Sequence, residues 1–375
     1  MHRRSLGSTG LNVSVLGIGS SPFRHGTAKE GSELLAQALD LGITYYDTAR
    51  SYINGEEAVA ELSPAISERL VVATKTGARG GRYCLQDLQR SLRTMRRKWI
   101  DVWMTHMIKT PEEYEQCTMV GGFCDVAVAA RQAGLVRASG ASFHAPTNLI
   151  LRAIEEGAFD VVMFQLNLIG RETIFGSGIA SYRETLLPAA RTRGVGVVVM
   201  KVLAGGELPH ASKLAFASDP GTGRNAVGGA VRYATMHPDI GTAVVGMANV
   251  REVMANVLAV EGVDDQQLPE FLHWTKLAEQ MNKGECTRCG ACLGVCPEGI
   301  EIPKILRLHD QQRFFGMERF ARQKYSMLDI DASACTRCRK CQEVCPEGFD
   351  IGISLDSAHS ALTQPLVRVR ETAAQ

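Results

Sequence analysis

Between residue 13 and about residue 260 the chain alternates between two hydrophobic patterns. Short apolar runs occur at VSVLGIGS (13–20), ITYYDTA (43–49), LVVATKT (70–76), DVWMTH (101–106), VRASGAS (136–142), FDVVMFQLN (159–167), VGVVVMKVL (195–203) and TAVVGMA (242–248). Longer segments lie between them, with apolar positions recurring at helical spacing. Several runs are continuous in Val, Ile, Leu and Met, the composition of parallel strands covered on both faces. Segments 29–42, 55–66, 85–99, 124–134, 145–157, 182–194 and 225–238 predict helices, and several end in Gly just before the next strand. Residues 249–260 predict a further helix with Asn249 as its N-cap. Eight strand–helix units in roughly 250 residues are the count and length of a (β/α)8 TIM barrel. A doubly wound open sheet competes, and this many units in this length favours closure.

The pattern changes after residue 262, which ends the first predicted domain. Residues 266–282 read as one more helix, within a connector spanning 263–282. A small, mainly α-helical domain is expected over 283–352, with a helical stretch at 302–328. Residues from 353 to 375, rich in Ser, Ala and Thr, read as a loosely ordered tail.

Composition excludes more than it identifies. The 375 residues are 45% apolar and 22% charged, with a formal net charge of +1. That balance supplies no electrostatic case for nucleic acid or an anionic membrane. No apolar run approaches the roughly 20 residues that span a bilayer. Arg3-Arg4 resembles the start of an export signal, but Gly7, Gly10 and Asn12 interrupt the apolar stretch behind it. A hairpin leading into a strand is the better reading. The 11 cysteines are an odd number with no signal peptide ahead of them, which points to a reducing cytoplasm rather than a disulfide framework. Cys84, Cys117 and Cys124 have no mutual spacing that makes a site, and read as packing residues.

The other eight cysteines are written twice in one pattern. Residues 286–299 are CTRCGACLGVCPEG and residues 335–348 are CTRCRKCQEVCPEG. Each is C-x2-C-x2-C-x3-C-P, the run that ligates 4Fe-4S clusters in bacterial ferredoxins, where the fourth cysteine serves the other cluster. One cluster would take Cys286, Cys289, Cys292 and Cys345. The other would take Cys335, Cys338, Cys341 and Cys296. Zinc is the competing ligand, but its sites pair two C-x2-C units rather than three cysteines in a run with a fourth before Pro. Arg288, Arg337, Arg339 and Lys340 sit inside the runs. They would raise cluster potentials, offer a docking face to a redox partner protein, or simply be solvated.

Function in a TIM barrel sits at the C-terminal ends of the strands. Read in order, those ends present Asp47, with Tyr52 in the loop behind it, then Lys75 and His106. A tyrosine with a pKa of about 10 is a poor acid at neutral pH. An ammonium nearby favours the phenolate, and a carboxylate keeps that ammonium charged and oriented. A histidine steers a carbonyl by hydrogen bonding. Such a group suits protonation of an alkoxide. Taken singly, each of these residues at a strand end is more often structural.

Together they resemble the aldo-keto reductases. RRSLGSTGLNVSVLGIG (3–19) is similar to that family's N-terminal hairpin and first strand, YYDTARSY (45–52) to the segment with its Asp and Tyr, ATKTG (73–77) to that with its Lys, and MTHM (104–107) to that with its His. The resemblance implies NADP- or NAD-dependent reduction of a small-molecule carbonyl, or oxidation of an alcohol, with Tyr52 as general acid. It also implies cofactor positions. Ser142 and Gln165 match the residues that hold the nicotinamide carboxamide, although the family's Asn after the Ser is Phe143 here. Met200 stands where a stacking Tyr is usual. Lys201 and residues 204–206 fall where the pyrophosphate is expected, and Gly246, Met247 and Asn256 match the adenosine turn and helix. Gly246 and Glu252 replace a Lys and an Arg frequent in NADPH-specific members, so the choice between NADH and NADPH stays open.

The arrangement as a whole resembles the group of aldo-keto reductases bearing a C-terminal 4Fe-4S domain. Nicotinamide delivers two electrons as a hydride, whereas each cluster passes one. Three functions follow: a carbonyl reductase with structural or sensing clusters, a ferredoxin-type electron-transfer enzyme working at the barrel mouth, or a non-catalytic redox sensor. The second leads to the expectation that Cys286 and its cluster lie toward the catalytic face.

Overall fold

The computed structural model describes residues 1–168, 182–208, 218–219, 224–264 and 285–364, together with Gln266, Pro269 and Leu272. An N-terminal hairpin, β1 (Arg3–Ser5) and β2 (Asn12–Ser14), precedes seven barrel strands. These are β3 (Leu16–Gly19), β4 (Tyr45–Asp47), β5 (Val71–Thr76), β6 (Ile100–Ile108), β7 (Val136–Phe143), β8 (Val161–Gln165) and β9 (Gly196–Met200). After a short antiparallel pair, β10 (Ser218–Asp219) and β11 (Arg224–Asn225), strand β12 (Thr242–Gly246) pairs with both β9 and β3 and closes the barrel. Each barrel strand falls on one of the eight apolar runs, and the sheet is closed rather than open. Parallel pairing buries both faces, which is why the runs are continuous in Val, Ile and Met instead of alternating.

Leu6, Leu11 and Val13 of the hairpin pack into the inner layer with Tyr45, Ala73 and Val102, so the hairpin plugs the N-terminal end of the barrel. Gly7 makes that contact possible. Its φ is +55°, and a Cβ there would lie 2.3 Å from the backbone N of Gly196. With the lower end filled, the open end carries the C-termini of the strands.

The outer helices follow the predicted pattern with two differences. The segment 55–66 is two helices, Gly55–Ala60 and Pro64–Ser67, because Ser63 caps a new start and Pro64 occupies its first turn. Helix Pro111–Thr118 was not predicted, although Thr110 caps it by accepting from the Glu113 N–H at 3.3 Å. No helix among the described residues is long and apolar enough to cross a membrane. The predicted helix at 266–282 lies almost wholly outside the described residues.

The cysteine-bearing part is helical. The predicted stretch 302–328 forms two helices, Ile302–Arg313 and Glu318–Tyr325, broken at Gly316 with φ +63°. The expected loose tail is corrected over most of its described length. Residues Ile351–Thr363 form a helix capped by the Asp350 side chain, and Ile351, Leu355, Ala358 and Leu362 are buried on one face against Ile302, Ile305 and Leu306. Tyr325 Oη and His359 Nδ1, 2.8 Å apart, tie this helix to its neighbour. Serine and alanine hid a stripe at helical spacing. Leu355→Ala should therefore destabilise the cluster domain by about 2–5 kcal/mol. Thermal loss of visible cluster absorbance checks this, and an unchanged melting temperature would remove the helix from the core.

Candidate active site and cluster domain

Asp47 ends β4 and Lys75 lies on β5, the adjacent strand, so parallel pairing brings their side chains to one end of the barrel. Lys75 is 1% exposed. Its Nζ donates to Asp47 Oδ2 at 2.6 Å and to the Thr48 carbonyl at 2.8 Å, and lies 5.6 Å from the centre of the Tyr52 ring. The His106 ring meets the Tyr52 ring edge-on, with centroids 5.6 Å apart. The four predicted residues thus converge. The loop carrying Tyr52 is pinned by Tyr46 Oη donating to the Gly55 carbonyl at 2.6 Å, and by buried Glu56, which accepts from Thr74 Oγ1 at 2.7 Å and pairs with Arg50.

Electrostatics corrects one expectation. Burial pushes the Tyr52 phenol above its usual value; Lys75 pulls it down and Asp47 pushes it up again. The ammonium acts in the expected direction, and desolvation outweighs it. Burial, reinforced by Lys75, His144 and Arg79, drives His106 down to about 3, so its ring is neutral at ordinary pH.

The sequence concealed how His106 is aimed. The pairing of β6 with β7 slips between Thr105 and Ile108, and Met107 takes φ +61°. Such a bulge redirects a side chain. Arg79 braces it, donating to Thr105 Oγ1 at 2.8 Å and to the carbonyls of His106 at 2.7 Å and Met107 at 3.1 Å, while Ser142 Oγ accepts from the Met107 N–H at 2.9 Å. Nothing in TKTGARGG marks this arginine in advance.

Ser142, Gln165 and Met200 stand at the C-terminal ends of three successive strands, and Gln165 is paired with Met200. Ser142 and Gln165 are both buried at their strand ends, and a hydroxyl beside a side-chain amide is a donor–acceptor set that fits a planar carboxamide. Phe143, by contrast, turns outward against Phe159, with ring centroids 6.2 Å apart. The next residue, His144, comes within 3.4 Å (Nδ1 to Nζ) of Lys201, a contact not foreseen.

At the far side, Gly246 backs against Pro22: a Cβ there would sit 3.1 Å from Pro22 Cγ. Met247 and Asn256 are buried. Asn249 caps helix Val250–Ala259 as predicted, and Glu252 folds back onto the turn. Glu252 accepts from the Ala248 N–H at 2.8 Å and from Asn249 Nδ2 at 2.9 Å. The start of this helix therefore already holds a carboxylate.

The two cysteine runs share one backbone course. Arg288 and Arg337 take φ +63° and +55°, Gly290 and Arg339 +82° and +63°, and Gly299 and Gly348 +68° and +67°. Cys296 joins Cys335, Cys338 and Cys341 around a cavity of about 240 Å³, which is the crossed set expected of one cluster. Burial first, and then the thiols of Cys286 and Cys289 in the same run, push the Cys292 thiol up. Four thiolates at such spacing need a cationic core between them, which an iron–sulfur cluster supplies. Among the described residues, no group of three or more His, Cys, Asp or Glu is arranged to hold a single metal ion. Cys84 and Cys117 are buried in the barrel's outer core and Cys124 packs against it, as expected of packing residues.

The copies differ in their surroundings. Arg337, Arg339, Lys340 and Cys338 are exposed. Arg288 is buried against the barrel: it donates to Asp310 Oδ2 at 3.0 Å and lies 3.6 Å from Glu207, which follows the end of β9. The first run therefore meets the face that carries the strand C-termini.

Comparisons with known proteins agree with this division. The aldo/keto reductase family matches residues 15–271, and the 4Fe-4S dicluster domain matches residues 282–349. L-galactose dehydrogenase of Arabidopsis thaliana is 25% identical over 306 residues, covering 71% of this chain and 92% of its own. L-glyceraldehyde 3-phosphate reductase of Escherichia coli (strain K12) is 27% identical over 234 residues, covering 56% of this chain and 63% of its own. Among solved structures, an aldo-keto reductase from Bacillus halodurans in its holo form superposes with a TM-score of 0.60 at 26% identity, covering 74% of this chain and 96% of its own.

Arg339 occupies a left-handed position that glycine fills in the first run. Left-handed backbone costs a non-glycine residue about 1–2 kcal/mol. Arg339→Gly should raise the stability of the cluster domain by about 1 kcal/mol in thermal melts, and a drop would show that the arginine side chain outweighs the strain.

Proposed function

The chain belongs to the aldo/keto reductase family and is an NAD(P)-dependent oxidoreductase carrying a 4Fe-4S domain, and on that premise we propose that it reduces the carbonyl of a small molecule, or oxidises the matching alcohol, at Asp47, Tyr52, Lys75 and His106. The observation that carries this reading is the position of Lys75, locked to Asp47 at 2.6 Å and 5.6 Å from the Tyr52 ring. When bound, a nicotinamide supplies the hydride that reaches the carbonyl carbon. Tyr52, kept protonated by its burial, gives its proton to the carbonyl oxygen as negative charge develops there. Lys75 stabilises the phenolate left behind, and Asp47 holds Lys75 in place. Neutral His106 hydrogen-bonds the substrate oxygen, oriented by the bulge that Arg79 holds. Ser142 and Gln165 orient the nicotinamide carboxamide, Met200 packs against its ring, Lys201 faces the pyrophosphate, and Gly246, Met247 and Asn256 receive the adenosine.

The cofactor reading favours NADH. Glu252 already satisfies the turn at 248–249, and a 2′-phosphate brought there meets like charge. Two 4Fe-4S clusters complete the protein, one on Cys286, Cys289, Cys292 and Cys345, the other on Cys335, Cys338, Cys341 and Cys296. Exposure of Cys338 beside Arg339 and Lys340 favours a second role, in which an acidic redox partner passes single electrons to that cluster.

Tyr52→Phe should lower kcat by about 10²–10⁴ with cluster absorbance and NADH binding unchanged. Retention of full carbonyl turnover would sink the assignment. Glu252→Arg should shift the NADPH-to-NADH affinity ratio toward NADPH by about tenfold, the size of one favourable charge contact. Fluorescence titration with both nucleotides measures it, and a wild-type protein that prefers NADPH would overturn the preference.

A further inference from the structure

Glu207 is 1% exposed and directly follows the 204–206 loop at the end of β9. A carboxylate that deep requires donors, and here they come from the cluster domain. Arg307 Nε donates to Glu207 Oε1 at 2.8 Å, Gln311 Nε2 donates to the same oxygen at 2.9 Å, and Arg288 Nη1 lies 3.6 Å from Oε2. Arg288, 2% exposed, stands between Cys286 and Cys289 in the first run. Its guanidinium is shared between Glu207 and Asp310, and its backbone N–H donates to Cys286 Sγ at 3.3 Å. One arginine thus belongs to a ligand loop of the first cluster and to the loop at the barrel mouth.

We infer that the Glu207–Arg288 pair links nucleotide occupancy of the barrel to reduction of the first cluster. The inference rests on the nucleotide and cluster sites proposed above. A one-electron reduction adds a negative charge beside Arg288, in surroundings too buried for solvent to screen it. Arg288 is then drawn away from Glu207, whose own charge is left less compensated behind the loop that faces the nucleotide pyrophosphate. Binding of that anion weakens. By reciprocity, bound nucleotide makes the cluster harder to reduce. Glu207 acts here as a positioning residue and touches neither substrate nor reacting atoms.

The experiment uses the anaerobic holoprotein and ADP-ribose, which carries the pyrophosphate but no redox-active ring. Calorimetry compares its dissociation constant for the oxidised protein with that for protein reduced by dithionite, the sole electron donor. The reduced form should bind at least about fivefold more weakly. In Glu207→Gln the difference should shrink to less than about twofold, the shape being kept and the charge removed. Gln311→Met, which removes a donor but no charge, should keep it. Equal affinity in both redox states of the wild type, or an undiminished difference in Glu207→Gln, overturns the link alone. Absence of ADP-ribose binding in both states overturns the nucleotide site and the link with it. The wild-type comparison decides the link whether or not a variant folds.

Discussion

A carboxylate removed from water must be met by donors, and Glu207 is met by donors on the other domain. That requirement fixes where the cluster domain sits. Arg307 and Gln311 come from one turn of helix Ile302–Arg313, four residues apart and therefore on one face. Arg288 comes from the cysteine run itself. Removing any of them leaves a buried charge short of partners, which costs far more than a surface contact is worth. Asp310 balances the second arginine-facing side, so two arginines and two carboxylates close a neutral junction. The geometry of the first cysteine run and that of the barrel mouth are consequently set by the same four side chains.

This junction separates two stretches of sequence that are nearly identical in pattern. The two runs follow the same backbone course, down to paired left-handed residues at equivalent positions. Their equivalents, Arg288 and Arg337, then part company: one is buried between Glu207 and Asp310, the other is exposed and pairs with Asp356. The motif dictates the local fold because four thiolates must face one centre. It does not dictate the surroundings, which come from what docks on each copy.

The same distinction explains what was legible in the sequence. The barrel was readable because each strand is a continuous apolar run with its own helix. The convergence of Asp47, Tyr52, Lys75 and His106 was readable because strand ends share one face. Cysteine spacing anticipated the meeting of Cys296 with Cys335, Cys338 and Cys341. Features built from distant contacts were not readable. Arg79 bracing the bulge at Met107, Glu252 folding onto its own turn, and His144 meeting Lys201 need the closed barrel before they have partners. The tail helix differs in kind: Ile351, Leu355, Ala358 and Leu362 stand in plain helical register, and a composition rich in serine and alanine masks them. The Tyr52 phenol is not legible in the sequence because a neighbouring charge is visible there and burial, which outweighs it, is not.

On the function proposed, a hydride site and a one-electron relay share this chain, and charge balance decides where they can influence each other. Lys75 and Asp47 neutralise each other inside the mouth, and their contact at 2.6 Å is independent of the cluster domain. An electron arriving on a cluster would therefore change little at Tyr52, whose surroundings are set by the Lys75–Asp47 pair and by its own burial. The loop after β9 is not insulated in this way. Its Glu207 draws its compensating charge from Arg288 and Arg307, across the domain boundary. Whatever alters the charge beside Arg288 is thus felt first at the loop after β9, and only through it at Lys75 and Tyr52. The proposed link would let the redox state of the clusters set how much of the protein carries nucleotide while the proton-transfer chemistry stays the same in each loaded molecule.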